Sequence, residues 1–375
     1  MHQPGPPTTD LPESFHVTLD RIRAAAEVIK GVVVRTPLLP FGRPDDGDSL
    51  GRTRAWLKPE SLQPIGAFKL RGAYYNIATL PPERRAAGVV AHSSGNHAQG
   101  VARAARLLGV RAVIVMPSNA PLVKVERVSE DGAEIVFVGP SSEERAERAA
   151  ELARVEGLSL VAPYDDAATI TGQGTVGLEI VEQLAVLDDR APGAQRPPSP
   201  GSATPSGAST GSAAPAPFTV LVPVGGGGIA SGVAVAVKSL RPDAVVLGVE
   251  PLLAADARDS LAQGRIVTWP AEEVGRTIAD GQRTTHLGRI PFELLRRHLD
   301  GIVTVTDDEI ARAMVRAARE SRLVLEPSGA TTLAAWLFHA DELPASGRVV
   351  IILSGGNVDP ARYDELFARG LAAGG

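Results

Sequence analysis

Lys69 sits in the run Gln-Pro-Ile-Gly-Ala-Phe-Lys-Leu-Arg-Gly-Ala spanning 63–73, between a Gly/Ala turn and an apolar helix start. Only five of the chain's 38 basic residues are lysine (Lys30, Lys58, Lys69, Lys124 and Lys238), so wherever a plain surface cation serves, arginine has nearly always been taken. Arginine stays protonated, whereas lysine can shed its proton and condense with a carbonyl to a Schiff base. A lysine kept in this setting is a candidate for chemistry. The plain alternative, for Lys58 and Lys69 alike, is an amphipathic side chain with a buried stem and a hydrated ammonium.

Four other groupings carry chemical potential. Gly225, Gly226, Gly227 and Gly228 follow an apolar strand-like run and open a helical one. Free backbone N–H groups at a helix start make a phosphate cradle. The spacing fits neither the dinucleotide fingerprint nor the P-loop, so a smaller phosphorylated cofactor is expected; the alternative is a tight turn that needs glycine for geometry. Ser93-Ser94-Gly95-Asn96-His97-Ala98-Gln99-Gly100 also follows a strand and opens a helix. Its hydroxyls, amide and N–H groups suit an anionic carboxylate, beyond what a simple N-cap requires. Ser354, in Leu-Ser-Gly-Gly-Asn-Val at 353–358, falls at the carboxyl end of another strand, where open α/β sheets bind ligands. Glu250, Ala254 and Asp256 follow a further strand, and two carboxylates with a backbone carbonyl suit a hard divalent cation, although acidic pairs after strands are common.

The elements that must position these residues are short apolar runs at 88–91, 112–116, 134–138, 219–224, 245–249 and 349–353, alternating with helical patterns such as 97–108, 142–156 and 174–187. Strands this apolar are buried on both faces, which predicts an α/β protein with parallel sheets. The stretch 188–217, rich in Pro, Ser, Ala and Gly, lacks periodicity and is expected as a disordered insertion in a surface loop. Residues 1–14 read as a loose tail with no signal-peptide pattern.

Bulk properties narrow the partners. A chain of 375 residues with 44% hydrophobic and 22% charged content has room for two domains and a sizeable core. Its net charge of -5 argues against nucleic acid, and the absence of cysteine excludes disulfides, thiolate metal sites and cysteine nucleophiles. No apolar run approaches a membrane span, and the expected location is the cytoplasm.

Taken together, QPIGAFKLRGA, SSGNHAQG, TGQGTVGLE at 171–179, PVGGGG, TIADG at 277–281, EPSGA at 326–330 and LSGGNVD closely resemble, in order, the motifs of the serine/threonine dehydratase and serine racemase family. That family has the tryptophan-synthase-like fold (fold type II) and uses pyridoxal phosphate. The resemblance covers about 15–360, interrupted by 188–217. It implies two open parallel-sheet three-layer domains: a large cofactor-binding one from 15–80 and 165–375, and a small one from 81–164. It implies Lys69 as the Schiff-base lysine, with Phe68 beside the ring, Asn96 on the ring hydroxyl, Gly225 to Gly228 around the phosphate and Ser354 facing the pyridine nitrogen. Ser93, Ser94, Asn96 and His97 would frame the substrate carboxylate, and Glu250, Ala254 and Asp256 match the family's Mg2+ or Ca2+ site. A homodimer acting on a small amino acid is implied.

A neutral serine opposite the ring nitrogen leaves the ring a weaker electron sink, which favours expulsion of a β-hydroxyl. Lys69 becomes the base for the α-proton, and water loss from L-threonine, L-serine or a 3-hydroxyaspartate gives a 2-oxo acid and ammonia. Ser94, on the face opposite Lys69, suits a racemase; a cofactor-binding amino-acid sensor without turnover is the non-enzymatic alternative. Where family members often carry Ser/Thr-Gly-Ser-Phe-Lys, this chain has Ile65-Gly-Ala-Phe-Lys69. Nucleotide regulation is therefore not expected, nor, with fifteen residues after Pro360, a C-terminal regulatory domain.

Overall fold

The computed structural model describes residues 16–42, 54–93, 95–120, 122–139, 142–189, 217–344 and 347–374. The tail expected at 1–14, Ser94, and all but 188, 189 and 217 of the expected insertion lie outside the described residues.

Ten strands form two sheets: β1 (Leu39–Phe41), β2 (Arg54–Pro59), β3 (Val89–His92), β4 (Ala112–Pro117), β5 (Glu134–Val138), β6 (Ser159–Leu160), β7 (Thr219–Pro223), β8 (Val245–Pro251), β9 (Gly301–Val305) and β10 (Arg348–Leu353). One sheet has the order β1-β2-β10-β7-β8-β9, the other β5-β4-β3-β6. Every pairing is parallel except β1 with β2, an antiparallel edge. β4, β7 and most of β10 are buried along their length, as β-branched runs covered by helices on both faces must be. Among the described residues no helix is long and apolar enough to cross a membrane.

The parallel α/β fold agrees with the sequence pattern, and helix Ser142–Glu156 has the expected bounds. Helix Ala167–Asp189 is longer than expected, beginning before 174 and running two residues into the stretch read as insertion. Asp188 there pairs with Arg348 on β10, a partner that local composition does not reveal.

One buried ionic cluster joins the elements around Lys69. Arg71, fully buried on helix Lys69–Ala78, binds Glu60 through Nε at 2.7 Å and Nη2 at 2.9 Å, and Glu179 on helix Ala167–Asp189 through Nη1 at 2.7 Å. Lys58 on β2 adds a 2.6 Å bond from Nζ to Glu179 and another of 2.6 Å to the Thr36 carbonyl. Burial alone would lower the Arg71 guanidinium, but the Glu60 and Glu179 carboxylates outweigh it and raise it. For Lys58 burial wins, and its ammonium is lowered despite Glu179. Two cations and two anions balance, so none is left uncompensated in a low-dielectric interior. Arg71→Ala removes the central donor from two buried carboxylates and is expected to cost about 3–5 kcal/mol in denaturant unfolding; an exposed pair such as Arg148–Glu151 is expected to contribute at most ~1 kcal/mol.

Candidate active site

The carboxyl ends of β2, β3, β7 and β10 converge. After β2 the chain makes a short 3-10 turn at Glu60–Leu62 and enters helix Lys69–Ala78. After β10, Ser354 and Gly355 pair with this entry: the Phe68 N–H donates to the Ser354 carbonyl at 3.1 Å, and Ala67 bridges Gly355. The helix after β3 packs so closely that a Cβ on Gly100 would lie 3.2 Å from the Lys69 carbonyl carbon. Four chain segments distant in sequence thus meet around one amine.

Lys69 Nζ donates to the Pro163 carbonyl at 2.9 Å and lies 5.0 Å from the Phe68 ring centroid. Neither neighbour carries the charge that an ammonium needs. Burial therefore lowers the Lys69 amine to about 8, against the pull of Glu326. Glu326 shows the reverse: burial, then Asp280, pushes its carboxyl up to about 8. Asn96 Nδ2 donates to Glu326 Oε1 at 2.6 Å. Lysine and acid thus titrate in one range, as groups placed for proton transfer do.

The glycine loop follows β7, and Gly227 has φ of 91°, a left-handed conformation open to glycine. A Cβ on Gly228 would lie 2.6 Å from Gln173 Oε1, one on Gly227 2.7 Å from Pro291, and one on Gly226 would run into the Tyr164 ring. Thr284 Oγ1, 3.7 Å from the Cβ position of Gly225, is buried without a partner, as is Gln173 Oε1. A glycine-only loop at the start of helix Gly228–Leu240, with an orphaned hydroxyl beside it, fits a phosphate. Ser354 Oγ is buried and donates to the Ser328 carbonyl at 3.2 Å.

Of the octet after β3, Ser93 Oγ accepts from the Gly95 N–H at 3.2 Å, and Asn96 faces Glu326. His97 points elsewhere. Its Nε2 bonds the Val161 carbonyl at 2.8 Å, so Nε2 carries the hydrogen and the buried Nδ1 is left as an unpartnered acceptor. Burial, with Lys69 second, lowers the imidazole to about 3, so it is neutral. The octet's donors to an anion are then the N–H groups of the first turn rather than this ring.

Glu250 lies near the end of β8 rather than after it, and Ala254 and Asp256 follow in the turn and helix beyond. Glu250 accepts from the Ala257 N–H at 3.0 Å and the Arg258 N–H at 2.8 Å, capping helix Asp256–Gln263. Both Asp256 carboxyl oxygens are buried without a partner. Burial, then Asp256, raises Glu250 well above its usual range, and burial raises Asp256 to about 7. Among the described residues no cluster of three acidic or histidine side chains gathers, so a cation here would rest on two carboxylates, carbonyl oxygen and water.

Several neighbours of the site were not singled out from sequence. Tyr164 and Thr284 come from separate loops that no local pattern marks, while Gln99 and Asn357 lie within the octet 93–100 and the run 353–358 without a role of their own there. Glu326 carried a faint signal: an acid immediately before the proline that starts helix Pro327–Phe338, where capping residues sit, yet making no capping bond.

A family model described as pyridoxal-phosphate dependent enzyme matches residues 29–355. The chain is 38% identical over 344 residues to an L-threo-3-hydroxyaspartate ammonia-lyase of Saccharomyces cerevisiae, covering 92% of this chain and 94% of that protein. It is 38% identical over 362 residues to an L-threonine ammonia-lyase of Thermotoga maritima, covering 96% and 80% respectively. The solved threonine deaminase of T.th. superposes with a TM-score of 0.78 at 41% identity, covering 91% of this chain and 99% of that one. The chain belongs to the family of pyridoxal-phosphate dependent enzymes.

The acidic pair yields a measurable consequence. Asp256 has its folded value raised to about 7 from an ordinary 3.8, so the folded state holds a proton the unfolded state releases. The Asp256 contribution to stability should therefore fall as pH rises from about 4 to about 7 and level off above, while the raised Glu250 and Glu326 add losses of the same sign. In EDTA the melting temperature is expected to drop between pH 5.5 and 7.5, Mg2+ or Ca2+ to raise it at 7.5, and Asp256→Asn to shrink the drop, leaving the part due to Glu250 and Glu326, and to abolish the cation's effect.

Proposed function

We propose that the chain is an ammonia-lyase that removes the β-hydroxyl of a 3-hydroxy amino acid, L-threonine, L-serine or a 3-hydroxyaspartate, giving a 2-oxo acid and ammonia. The observation that carries this reading is the partly buried Lys69, lowered to about 8 and set among converging strand ends with the glycine loop and Ser354. Lys69 would hold pyridoxal phosphate covalently until the substrate amine displaces it and frees its Nζ, with Phe68 beside the ring, Asn96 at the ring hydroxyl, Gly225 to Gly228 and Thr284 around the phosphate, and Ser354 at the ring nitrogen. When bound, the cofactor supplies an electron sink for negative charge at the substrate α-carbon.

The chain's own groups do the rest. N–H groups of the turn at Ser93 to His97 bind the substrate carboxylate, which orients the α-C–H bond toward Lys69. Lys69 Nζ accepts the α-proton; an amine near 8 is a competent base at neutral pH, which an ordinary lysine at 10.5 is not. Glu326, held close to 8, keeps a proton beside Asn96 rather than adding a full negative charge to the site. One water leaves with the hydroxyl and one enters on hydrolysis, so the net products are the 2-oxo acid and ammonia. Glu250, Ala254 and Asp256 would bind a divalent cation through two carboxylates and a backbone carbonyl. We read 81–164 as the small domain and 15–80 with 165–375 as the large one. We also read the enzyme as a cytoplasmic homodimer, whose mass in sedimentation should be twice that of one chain.

Purified protein should show a visible absorption band that borohydride abolishes, and should release 2-oxo acid from one of the three substrates. Lys69→Ala should lose the band and on the order of 10³-fold in turnover. Colourless wild-type protein, or a Lys69→Ala variant with normal turnover, contradicts the proposal. Release of D-serine from L-serine, lost in Ser94→Ala, would instead favour a racemase.

A further inference from the structure

Asn357, the asparagine of the Leu-Ser-Gly-Gly-Asn run, holds no role in the scheme above, yet it makes four polar contacts across three parts of the fold. Its Nδ2 donates to the Ile65 carbonyl at 2.7 Å, to Asn96 Oδ1 at 2.8 Å and, at the long distance of 3.5 Å, to Gln99 Oε1. Its Oδ1 accepts from Arg127 Nη1, on helix Leu122–Glu130, at 2.8 Å. We infer that Asn357 is a positioning residue that fixes the amide of Asn96 with its nitrogen, not its oxygen, toward the cofactor's ring oxygen. This rests on the reading that Asn96 meets the ring hydroxyl.

The polarity follows from the ends of the chain of bonds. A guanidinium donates and cannot accept, and a backbone carbonyl accepts and cannot donate. Arg127 and Ile65 therefore leave Asn357 one orientation, oxygen to Arg127 and nitrogen to Ile65. An amide nitrogen has two hydrogens; one is used on Ile65 and the other is delivered to Asn96 Oδ1. With its oxygen taken, Asn96 keeps Nδ2 as a double donor. Glu326 Oε1 takes one hydrogen at 2.6 Å, and one is left for an oxygen of the bound cofactor. A side-chain amide has near-identical shape in its two orientations, so sterics alone would not choose between donor and acceptor at this position. Gly66 is part of the arrangement: its φ is 73°, and a Cβ there would overlap Asn357 Oδ1.

The charged groups around the relay are Lys69, Lys124, Asp280 and Glu326, with Arg127 at its outer end and Arg283, Asp359 and Arg362 on the wall of the cavity beside Asn357. Arg127 is exposed on the wall of a cavity of about 420 Å³ shared with Asn357, so it can be replaced without loss of core packing.

Asn357→Asp tests the inference, because a carboxylate keeps the shape and the Arg127 contact but cannot donate. Asn96 should then turn its nitrogen to Asp and its oxygen to the cofactor. Pyridoxal phosphate binding to the cofactor-free chain is expected to weaken on the order of tenfold. The pH at which the visible band of the loaded enzyme converts is expected to move by about one unit. Asn357→Ala, which removes the bonds without reversing them, should move both readings less than Asp does, although it removes more of the contacts that a merely structural residue supplies. In an Asn96→Ala background Asn357→Asp should add nothing, whereas a direct effect of its charge would persist. Should Asn357→Asp fail to fold, Arg127→Glu, an acceptor on the surface, should produce shifts of the same sign but smaller, because the Ile65 carbonyl still claims the amide nitrogen, and Arg127→Lys should keep the wild-type values. Unchanged binding and band in the folded variants, Ala outweighing Asp, or an Asp effect that survives in Asn96→Ala overturns the inference. A wild-type enzyme that never develops the band overturns instead the reading of Lys69 on which it rests.

Discussion

Buried charge is the constraint around which the site is built. Arg71 lies two residues beyond Lys69 on the same helix, fully buried, and holds Glu60 and Glu179 from two other elements. A guanidinium in a dry interior is tolerated only with its carboxylates in place, so the helix cannot shift along its axis without breaking several bonds at once. With a rise of about 1.5 Å per residue, fixing Arg71 fixes the start of the helix, and with it the point from which the Lys69 side chain leaves. The cluster also separates Lys58, fully buried, from the partly buried Lys69. Lys58 has a carboxylate at 2.6 Å and serves the fold, whereas Lys69 has only a carbonyl at 2.9 Å and an aromatic face, and so remains free for chemistry.

The electrostatics of the site follow from that difference. Burial works on Lys69 and Glu326 in opposite directions and brings both to about 8. In this acid–base pair Glu326 opposes burial at Lys69, whereas Lys69 acts on Glu326 less than burial, Asp280, Asn96 and Lys124 do. Asn96 ties this pair to the turn after β3, and Asn357 ties Asn96 to the loop after β10. The residues that meet the reactants are thus held by neighbours that do not.

The sequence made some of this legible and hid the rest, for physical reasons. The scarcity of lysine, the glycines between strand and helix, and Ser354 at a strand end are local signals, and each sits at the sheet ends where a parallel α/β fold places its ligands. β2 escaped notice because Arg54-Ala-Trp-Leu-Lys-Pro reads as a half-polar segment; Lys58 is buried there only because Glu179, far along the chain, neutralises it. The direction in which His97 turns depends on the Val161 carbonyl, and the value of Glu326 on desolvation by elements that meet only in the fold. The amide polarity of Asn96 likewise depends on Arg127 and Ile65, which no spacing rule connects to it.

The central claim is that burial without a paired carboxylate makes the Lys69 amine basic enough to take a proton and neutral enough to do so near physiological pH. Its titration in the cofactor-free protein measures this directly. Reductive methylation with ¹³C labels the few lysines, and Lys69→Arg assigns the Lys69 resonance. That resonance is expected to titrate near 8, well below the ordinary lysine value of 10.5, and to fall further in Glu326→Gln, which removes the charge opposing burial. A Lys69 resonance that titrates at the ordinary lysine value of 10.5 and ignores Glu326→Gln would contradict it.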